Sequence, residues 1–409
     1  MRTASRIGTS TAVAVLVLIA AGSASAVTYV VQPDGLGDYP TIQEAVDAAD
    51  DGDYVVLTDG TFSGPGNRDI VVPAKQIYIL SQSGNFLECQ IDCEGSAGDP
   101  ARGFHFNTSV GSGNAEMQGV GVINGYVFDG GGGIWIEGAD TRIINCSAGY
   151  CTVDNTHGKG GGLWVSDGGA PNVSGCLFHM NSAGKGGGVA IDTAWGTFNY
   201  CEMVDNTATD MGGGMFVYAD GPFQIGYSDF LSNQAPHGGG VLMSGTTPYV
   251  QHCKIYRNDA TAGFGGGVYL QGGSVNHCTI VDNSATEGAG GVHCHAGTGT
   301  VEYSIIAFSE SGYGVAATDG YAPTLNCCDV YGNPAGEYDS VVGDQTGIND
   351  NFSTDPLFCN WPLGDYTLDA ASLCLYGNNP CGYQVGAFGQ GCDSPVEDVS
   401  WGRVKALWR

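Results

Sequence analysis

The chain has 409 residues, among them 69 glycines, 42 acidic residues and 13 lysines or arginines. Glycine is well above its usual share of roughly 7 %. It has no period of three, which excludes collagen, and the sequence lacks the apolar heptads of a coiled coil. The formal net charge of −29 at pH 7 makes nucleic acid and anionic membrane surfaces poor partners.

Residues 1–26 have the pattern of a secretory signal peptide. Arg2 and Arg6 precede an apolar run at 12–21, and the triplet Ala-Ser-Ala at 24–26 is a small-x-small cleavage site. The run is shorter than the roughly 20 residues that span a bilayer, and no later segment is continuously apolar. We therefore expect a secreted or cell-surface protein without a membrane span, in a compartment where disulfides persist.

Residues 27–85 are expected to hold an N-terminal cap and the first coils of the fold. Thr41 and Glu44 have the spacing of a capping box, and Ile42 and Val46 give the short helix that follows an apolar side. Such a helix would cover the open end of a stack of strands, which otherwise invites edge pairing.

Residues 86–335 contain two ladders, and between Gly160 and Gly238 the first of them repeats every 26 residues. The first ladder consists of glycine clusters at the equivalent positions Gly131, Gly160, Gly186, Gly212, Gly238, Gly265 and Gly288. The second ladder consists of Cys176, Cys201, Ser228, Cys253, Cys278, Ser304 and Cys328. An apolar residue follows two positions after each member of the second ladder, and an asparagine follows five positions after every member except Ser304.

The two ladders stay in phase, and no unit between them contains an amphipathic helix pattern. Units of this length without a helix can form one coil of short strands, and stacked coils then pair their strands about 4.8 Å apart. The sequence therefore predicts an all-β protein, a single right-handed parallel β-helix with a short helical N-terminal cap and a cysteine-containing C-terminal cap. Asparagines in register are expected to hydrogen-bond amide to amide along the axis.

Two stretches carry a family resemblance. The segment GLGDYPTIQEAV at 35–46 resembles the N-terminal cap of the pectin-lyase-like superfamily, which includes pectate lyases and pectin methylesterases. The FxxN and GGG[VLM] repeats resemble those of polymorphic outer membrane proteins. The resemblance implies a right-handed parallel β-helix but supplies no active site. The paired aspartates and the NTD, DD and GHG motifs of these enzymes are not recognisable. Only four arginines lie between 27 and 393, and Arg142 and Arg257 fall outside the strands that follow the glycine clusters.

Residues 336–393 contain Cys359, Cys374, Cys381 and Cys392, which we expect to form disulfides within the C-terminal cap. The total of 15 cysteines is odd, so at least one has no intramolecular partner. Serine replaces cysteine at two positions of the second ladder, which leaves buried thiols or disulfides between coils as alternatives there. Residues 394–409 form a tail that is either an attachment or sorting signal or an incidental cationic end.

Metal binding is not expected. His293, Cys294 and His295 alternate across a strand and cannot converge on one ion, which leaves an ion shared between the two outward histidines and a neighbouring coil as the less favoured alternative. No cofactor motif is present. Acidic side chains one coil apart, such as Asp167 and Asp192, favour adventitious calcium at most.

The strand after each glycine cluster carries the candidate ligand site. Its first outward row is aromatic where polar residues are the norm, and includes Trp135, Trp164, Phe216, Tyr269 and His293. The next outward row offers partners for sugar hydroxyls at Glu137, Asp192, Tyr218 and His295. Such a stripe suits a long glycan; the alternatives are stacking between coils for stability, or cover by another segment. Lys159 and Lys185, one coil apart, either bridge a uronate carboxylate or are solvated turn lysines.

Two functions are consistent with this pattern. The favoured one is a non-catalytic adhesive or structural protein that binds a glycan or another partner along the aromatic face. The alternative is a polysaccharide lyase or glycoside hydrolase, with Glu137 and Asp192 as a carboxylate pair. A fold alone confers no activity, so the absence of a recognisable catalytic pattern favours the first function.

Overall fold

The computed structural model describes residues 25–107, 114–219, 221–297, 299–318 and 320–392. Residues 1–24 of the predicted signal peptide and the predicted tail at 394–409 lie outside the described residues. Within the described part, no helix is long and apolar enough to cross a membrane.

The chain winds into a parallel β-helix whose coils contribute strands, in chain order, to four sheets of 12, 11, seven and ten strands, named A, B, C and D. Sheet A comprises Thr28–Val31, Tyr54–Leu57, Tyr78–Ser81, Glu116–Gln118, Arg142–Ile144, Asn172–Ser174, Gly196–Asn199, Phe223–Gly226, Tyr249–Gln251, Ser274–Asn276, Thr300–Glu302 and Thr324–Asn326. Sheet B comprises Gly60–Phe62, Cys89–Asp92, Gly121–Ile123, Ser147–Gly149, Leu177–His179, Glu202–Val204, Asp229–Leu231, Lys254–Tyr256, Thr279–Val281, Ile305–Ala307 and Asp329–Tyr331.

The two remaining sheets complete each coil. Sheet C comprises Tyr126–Val127, Thr152–Val153, Ser182–Lys185, Thr207–Met211, Gln234–Ala235, Asp259–Ala260 and Ser284–Ala285. Sheet D comprises Ile70–Val72, Phe104–Asn107, Ile134–Glu137, Leu163–Ser166, Val189–Asp192, Met215–Tyr218, Val241–Ser244, Val268–Gln271, Ala289–Cys294 and Tyr313–Ala317. Equivalent strands pair parallel and in register, as Trp135 does with Trp164. The predicted right-handed solenoid is confirmed.

The N-terminal helix spans Ile42–Ala48, as the capping pattern predicts. Thr41 Oγ1 accepts a hydrogen bond from the Glu44 backbone N–H at 3.3 Å. Ile42 and Val46 are fully buried against the first coil, so the helix covers one end of the core.

The asparagine ladder is formed from Asn181 to Asn283. The Asn206 amide nitrogen donates to the Phe178 carbonyl at 2.8 Å and to Asn233 Oδ1 at 3.0 Å. Its oxygen accepts from the backbone N–H and the side-chain amide of Asn181, both at 3.0 Å. Amide-to-amide bonds of this kind link Asn181, Asn206, Asn233, Asn258 and Asn283. Since every donor and acceptor of the Asn206 side chain is paired, its burial carries no penalty for unmade hydrogen bonds.

The glycine clusters fit against this ladder, which explains why the two patterns share one phase. A Cβ at Gly188 would lie 2.9 Å from Asn206 Nδ2 and 2.7 Å from the Gly214 carbonyl oxygen. Gly186 has a φ of 63°, in the left-handed region that glycine enters without a Cβ penalty. The chain therefore turns and passes over the amide column at a distance that only glycine permits.

The core is a set of columns. The inward residues of sheet D, from Ile134 to Val292, are fully buried, as predicted. The cysteines of the second ladder are buried free thiols, so the disulfide alternative between coils is not realised. Burial raises the pKa of the Cys201 and Cys253 thiols well above the ordinary value, which keeps them protonated and unreactive.

The C-terminal segment 355–392, called the strap, lies along the outer face of sheet B. It contains a small sheet of Phe358–Asn360, Asp365–Asp369 and Gln390–Cys392, and a 3₁₀ turn at Trp361–Leu363. Phe358, Tyr366 and Leu368 of the strap pack with outward residues of sheet B such as Val281 and Ile305. The end of the coil core is covered by a different segment, which contributes Tyr338, Val341 and Val342.

Three of the four cysteines predicted to form disulfides do so, but only one of the two bonds lies within the predicted cap. Cys359 pairs with Cys392, and Cys381 pairs with Cys327. The prediction is wrong for Cys374, which is a buried free thiol that donates to Asp329 Oδ2 at 3.2 Å. Cys327 was not predicted because it stands one residue before the ladder position, at a corner where φ is 53° and the side chain faces the strap.

Candidate binding surface on sheet D

Near its N-terminal end the outer face of sheet D carries three stacked rings. The imidazole of His105 lies 4.1 Å from the Trp135 ring at an interplanar angle of 1°, and Trp164 lies 4.9 Å from Trp135 at 11°. Because the coils are in register, both faces of the Trp135 indole are covered by its neighbours. The sequence-based expectation that a sugar ring stacks on this face therefore fails for Trp135, whose exposed part is an edge.

The remainder of the aromatic row is buried. Phe216, Tyr269 and His293 are 7 %, 3 % and 2 % exposed, so the prediction of an open stripe is wrong at these three positions. The side chains that cover them come from the corner directly before each glycine cluster. Met211 packs with the row, and Phe264 stacks on His293 at 4.5 Å. Burial, with a smaller contribution from the neighbouring His295, lowers the pKa of His293 to about 4.

The second row is polar and partly exposed. Glu137 Oε2 lies 2.9 Å from His105 Nε2 and accepts from Asn107 Nδ2 at 2.9 Å. The carboxylate of Asp192 pairs with the ammonium of Lys159. Tyr218 is 43 % exposed.

The histidines at the far end of the sheet meet at one hydroxyl, with His295 Nδ1 at 2.9 Å and His293 Nε2 at 3.3 Å from Thr318 Oγ1. Cys294 points into the core, as the alternation predicts. These positions are too far along the axis to join Glu137 in one site.

The two lysines are one coil apart, and their backbones form a parallel bridge. Neither is the solvated or uronate-bridging cation that the sequence suggests, since each has its own carboxylate. Lys159 pairs with Asp192, and Lys185 Nζ lies 3.6 Å from Asp210 and 5.4 Å from the Phe216 ring centre.

Calcium binding by Asp167 and Asp192 lacks the expected geometry. Val165 pairs with Ile191, which places Ser166 rather than Asp167 opposite Asp192. Within the described ranges, no group of three or more histidine, cysteine, aspartate or glutamate side chains is arranged to hold a metal ion.

Sequence reasoning missed two members of this surface, Arg102 and His105. Arg102 Nη2 binds both carboxylate oxygens of Asp129, at 2.7 and 2.8 Å, and its guanidinium lies 4.9 Å from the Trp135 ring centre. Burial is the largest influence on His105 and lowers its pKa, although the Glu137 carboxylate acts in the opposite direction. Gly103 alone precedes this strand, so the glycine ladder did not reveal it. The alternation in Phe104–Asn107 was the available signal.

We define the ribbon cluster as the residues Arg102, His105, Asn107, Trp135, Glu137, Lys159, Trp164 and Asp192. It combines acceptor carboxylates, an amide, paired cations and indole edges on neighbouring coils. It can hydrogen-bond a polyhydroxylated chain that runs along the axis, and it holds two carboxylates on one face.

The comparisons with known proteins agree with the fold. A family described as the right-handed β-helix region matches residues 108–255. The pectate lyase Pel9A is similar, with a TM-score of 0.51, 14 % identity, and coverage of 90 % of this chain and 97 % of that chain. ORF18 of Geobacillus virus E2 aligns with a TM-score of 0.39 and 12 % identity over 76 % of this chain and 56 % of its own. A pectin methylesterase from carrot aligns with a TM-score of 0.30 and 14 % identity over 87 % and 93 % of the two chains. No curated protein matches the chain. The family model and the similarity to the pectate lyase establish architecture alone, and by that measure the chain is a right-handed parallel β-helix similar in fold to a pectate lyase.

Proposed function

We propose that this protein is exported and binds a polysaccharide, without cleaving it, along the ribbon cluster. The observation that carries the proposal is the alignment of Asn107, Glu137 and Asp192 along one partly exposed sheet face beside Trp135 and Trp164, with Asn107 hydrogen-bonded to Glu137. The pectate lyase of similar fold acts, by its name, on such a polymer. Two disulfides in the C-terminal region support an oxidising destination.

The geometry indicates how a glycan would be held. The faces of the Trp135 ring are occupied by His105 and Trp164, so sugar rings contact indole edges instead of stacking on them. Hydrogen bonds from the sugar hydroxyl groups to Glu137 and Asp192 then supply most of the specificity. A site of this kind depends on its polar partners more than on its aromatic area, because a carboxylate hydrogen bond is worth about 1.5–3 kcal/mol.

Retention on immobilised polyuronates and neutral glycans tests the proposal. We expect Glu137→Gln to weaken retention about tenfold, since a charge-assisted acceptor is lost while the shape is kept. Tyr200→Ala is the matched control, because Tyr200 is 64 % exposed and lies at the corner between sheets A and B, away from sheet D. Failure of every glycan to bind, or unchanged retention of the Glu137→Gln variant, would overturn the proposal.

The enzymatic alternative has one specific observation in its favour. Glu137 and Asp192 stand two coils apart on the same face, which separates their backbones by about 10 Å. Inverting glycosidases place their carboxyl groups about 6.5–9.5 Å apart. Release of reducing ends without an unsaturated product, stopping in both Glu137→Gln and Asp192→Asn, would establish a hydrolase, since a lyase also releases reducing ends but leaves a double bond. Retention without products supports the binding protein.

A further inference from the structure

A column of aromatic residues lines the corner between sheets A and B, away from the ribbon cluster. The corner column consists of Tyr200, Tyr227, His252, His277 and Tyr303, each directly before a member of the buried cysteine and serine ladder. All five have φ between 48° and 58°, so their side chains leave the corner in the same direction. Successive ring centres are 5.2, 4.9, 4.9 and 4.9 Å apart.

The centre of the column contains two histidines on adjacent coils. The rings of His252 and His277 are 4.9 Å apart and tilted by 32°, and both side chains are partly exposed. Burial lowers the pKa of both imidazoles, and His252 lowers that of His277 further. Metal ions bind imidazole in its neutral form.

Hydrogen bonds fix which nitrogen of His277 carries a lone pair. Asn276 Nδ2 donates to Glu302 Oε2 at 3.2 Å, which turns Asn276 Oδ1 toward His277 Nδ1. An amide oxygen only accepts, so Nδ1 carries the hydrogen and Nε2 is the free acceptor. This is the outer-shell arrangement that orients histidine ligands in metal sites, with an acceptor behind the ring and a carboxylate behind the acceptor.

We propose that His252 and His277 together bind one divalent transition-metal ion, with Cu²⁺ bound most tightly and Ni²⁺ or Zn²⁺ less so. Imidazole suits these ions, and their affinities for a nitrogen site follow this order. An ion about 2.0–2.1 Å from each nitrogen holds the two nitrogens within about 4.2 Å of each other. Because the nitrogen lone pairs lie in the ring planes, both partly exposed imidazoles must rotate out of the stack until their lone pairs converge on the ion. Tyr227 and Tyr303 flank the pair, so the ion sits at the outer rim, and water completes its coordination.

Titration with Cu²⁺ alone, followed by electron paramagnetic resonance at neutral pH, tests this site. We expect one equivalent of Cu²⁺ to show coupling to two imidazole nitrogens. His252→Phe and His277→Phe keep a ring in the column and should each weaken Cu²⁺ binding at least tenfold. His157→Phe is the control, since His157 is exposed and outside the column, and should leave binding unchanged.

Two results would overturn the proposal. One is a wild-type spectrum that shows only oxygen ligands, as carboxylates of this acidic protein would give. The other is Cu²⁺ affinity within twofold of wild type in either phenylalanine variant. Circular dichroism of each variant establishes that it is folded, and the wild-type spectrum decides the question even where a variant is not. Neither result bears on the glycan proposal, because the two surfaces share no residue.

Discussion

Replacement of Asn206 by alanine tests whether the buried amide column holds the coils together. The change removes the acceptor of two donors on Asn181 and the donor to the Phe178 carbonyl. These groups lie in the core, where an orphaned polar group costs about 1–3 kcal/mol. Three such groups, taken near the low end because the site can relax, predict a loss of about 3–5 kcal/mol. The same substitution at the exposed Asn172 of sheet A should cost less than about 0.5 kcal/mol.

Hydrogen exchange measured by mass spectrometry is the appropriate assay, because coils contact only their neighbours and the loss should be local. The opening free energy should fall in the sheet B strands Leu177–His179, Glu202–Val204 and Asp229–Leu231. It should not change in Tyr54–Leu57, several coils away. A fall of less than about 1 kcal/mol around position 206, on the cost of orphaned groups used above, would refute the reasoning. It would mean that water or a shifted coil satisfies the amides at little cost.

Two further predictions follow from the same packing. Burial raises the pKa of Asp282 to about 6 and that of Asp329 to about 7. Smaller influences act in the opposite direction, because Trp361 donates a hydrogen bond to Asp282 and Cys374 donates one to Asp329. Arg257 also lies near Asp282. An unfolded aspartate titrates near 3.9, so docking favours the protonated form. The stabilisation of the docked strap by these protonated aspartates is present in acid and lost as the pH rises through about 6–7. Hydrogen exchange in Asp365–Asp369, corrected for its intrinsic pH dependence, should show more frequent opening of the strap at about pH 8 than at about pH 5.5. Asp329→Asn should remove most of this difference. Equal opening at both pH values would contradict the predicted direction. Gly188→Ala places a methyl group 2.7 Å from a carbonyl oxygen of the next coil and should cost about 1–3 kcal/mol in thermal unfolding, whereas Gly98→Ala, with nothing within 4 Å of its Cβ, should be neutral. Equal unfolding midpoints for the two alanine variants would show that the coils separate more readily than the packing implies.

The sequence predicted the coil and its inward columns because both follow from a repeat. Cys253 and Cys278 fall in one column, and Val189 is inward, for the same reason: register is set by repeat length. What covers the outer face could not be predicted in this way. Phe264 lies outside the strand that it shields. Its coverage of His293 depends on the length of its side chain and on the direction that the backbone takes at a corner with positive φ.

The same argument explains the errors in the candidate site. An aromatic residue that repeats from coil to coil stacks on its own neighbours, so repetition removes ring faces from use by a ligand. Trp135 illustrates this directly, since His105 and Trp164 occupy both of its faces. The disulfide error at Cys374 has another origin. Cysteines that are close in sequence within the strap need not be close in space, because the strap folds back over coils more than 40 residues earlier in the chain. There Cys374 contacts Asp329.

A ligand site in a solenoid is therefore to be sought where a column changes its chemistry. Asparagine amides in register satisfy one another, since each amide both donates and accepts, and leave nothing for a partner. The outer row of sheet D changes at each step from Asn107 through Glu137 to Asp192, and the corner column changes from tyrosine to histidine at His252. The sheet D residues cannot saturate one another by repetition alone, because adjacent coils present different groups, and His252 and His277, although alike, stack on each other without exchanging a hydrogen bond. That is the physical reason for placing both proposed sites at these positions and neither of them on the regular columns between.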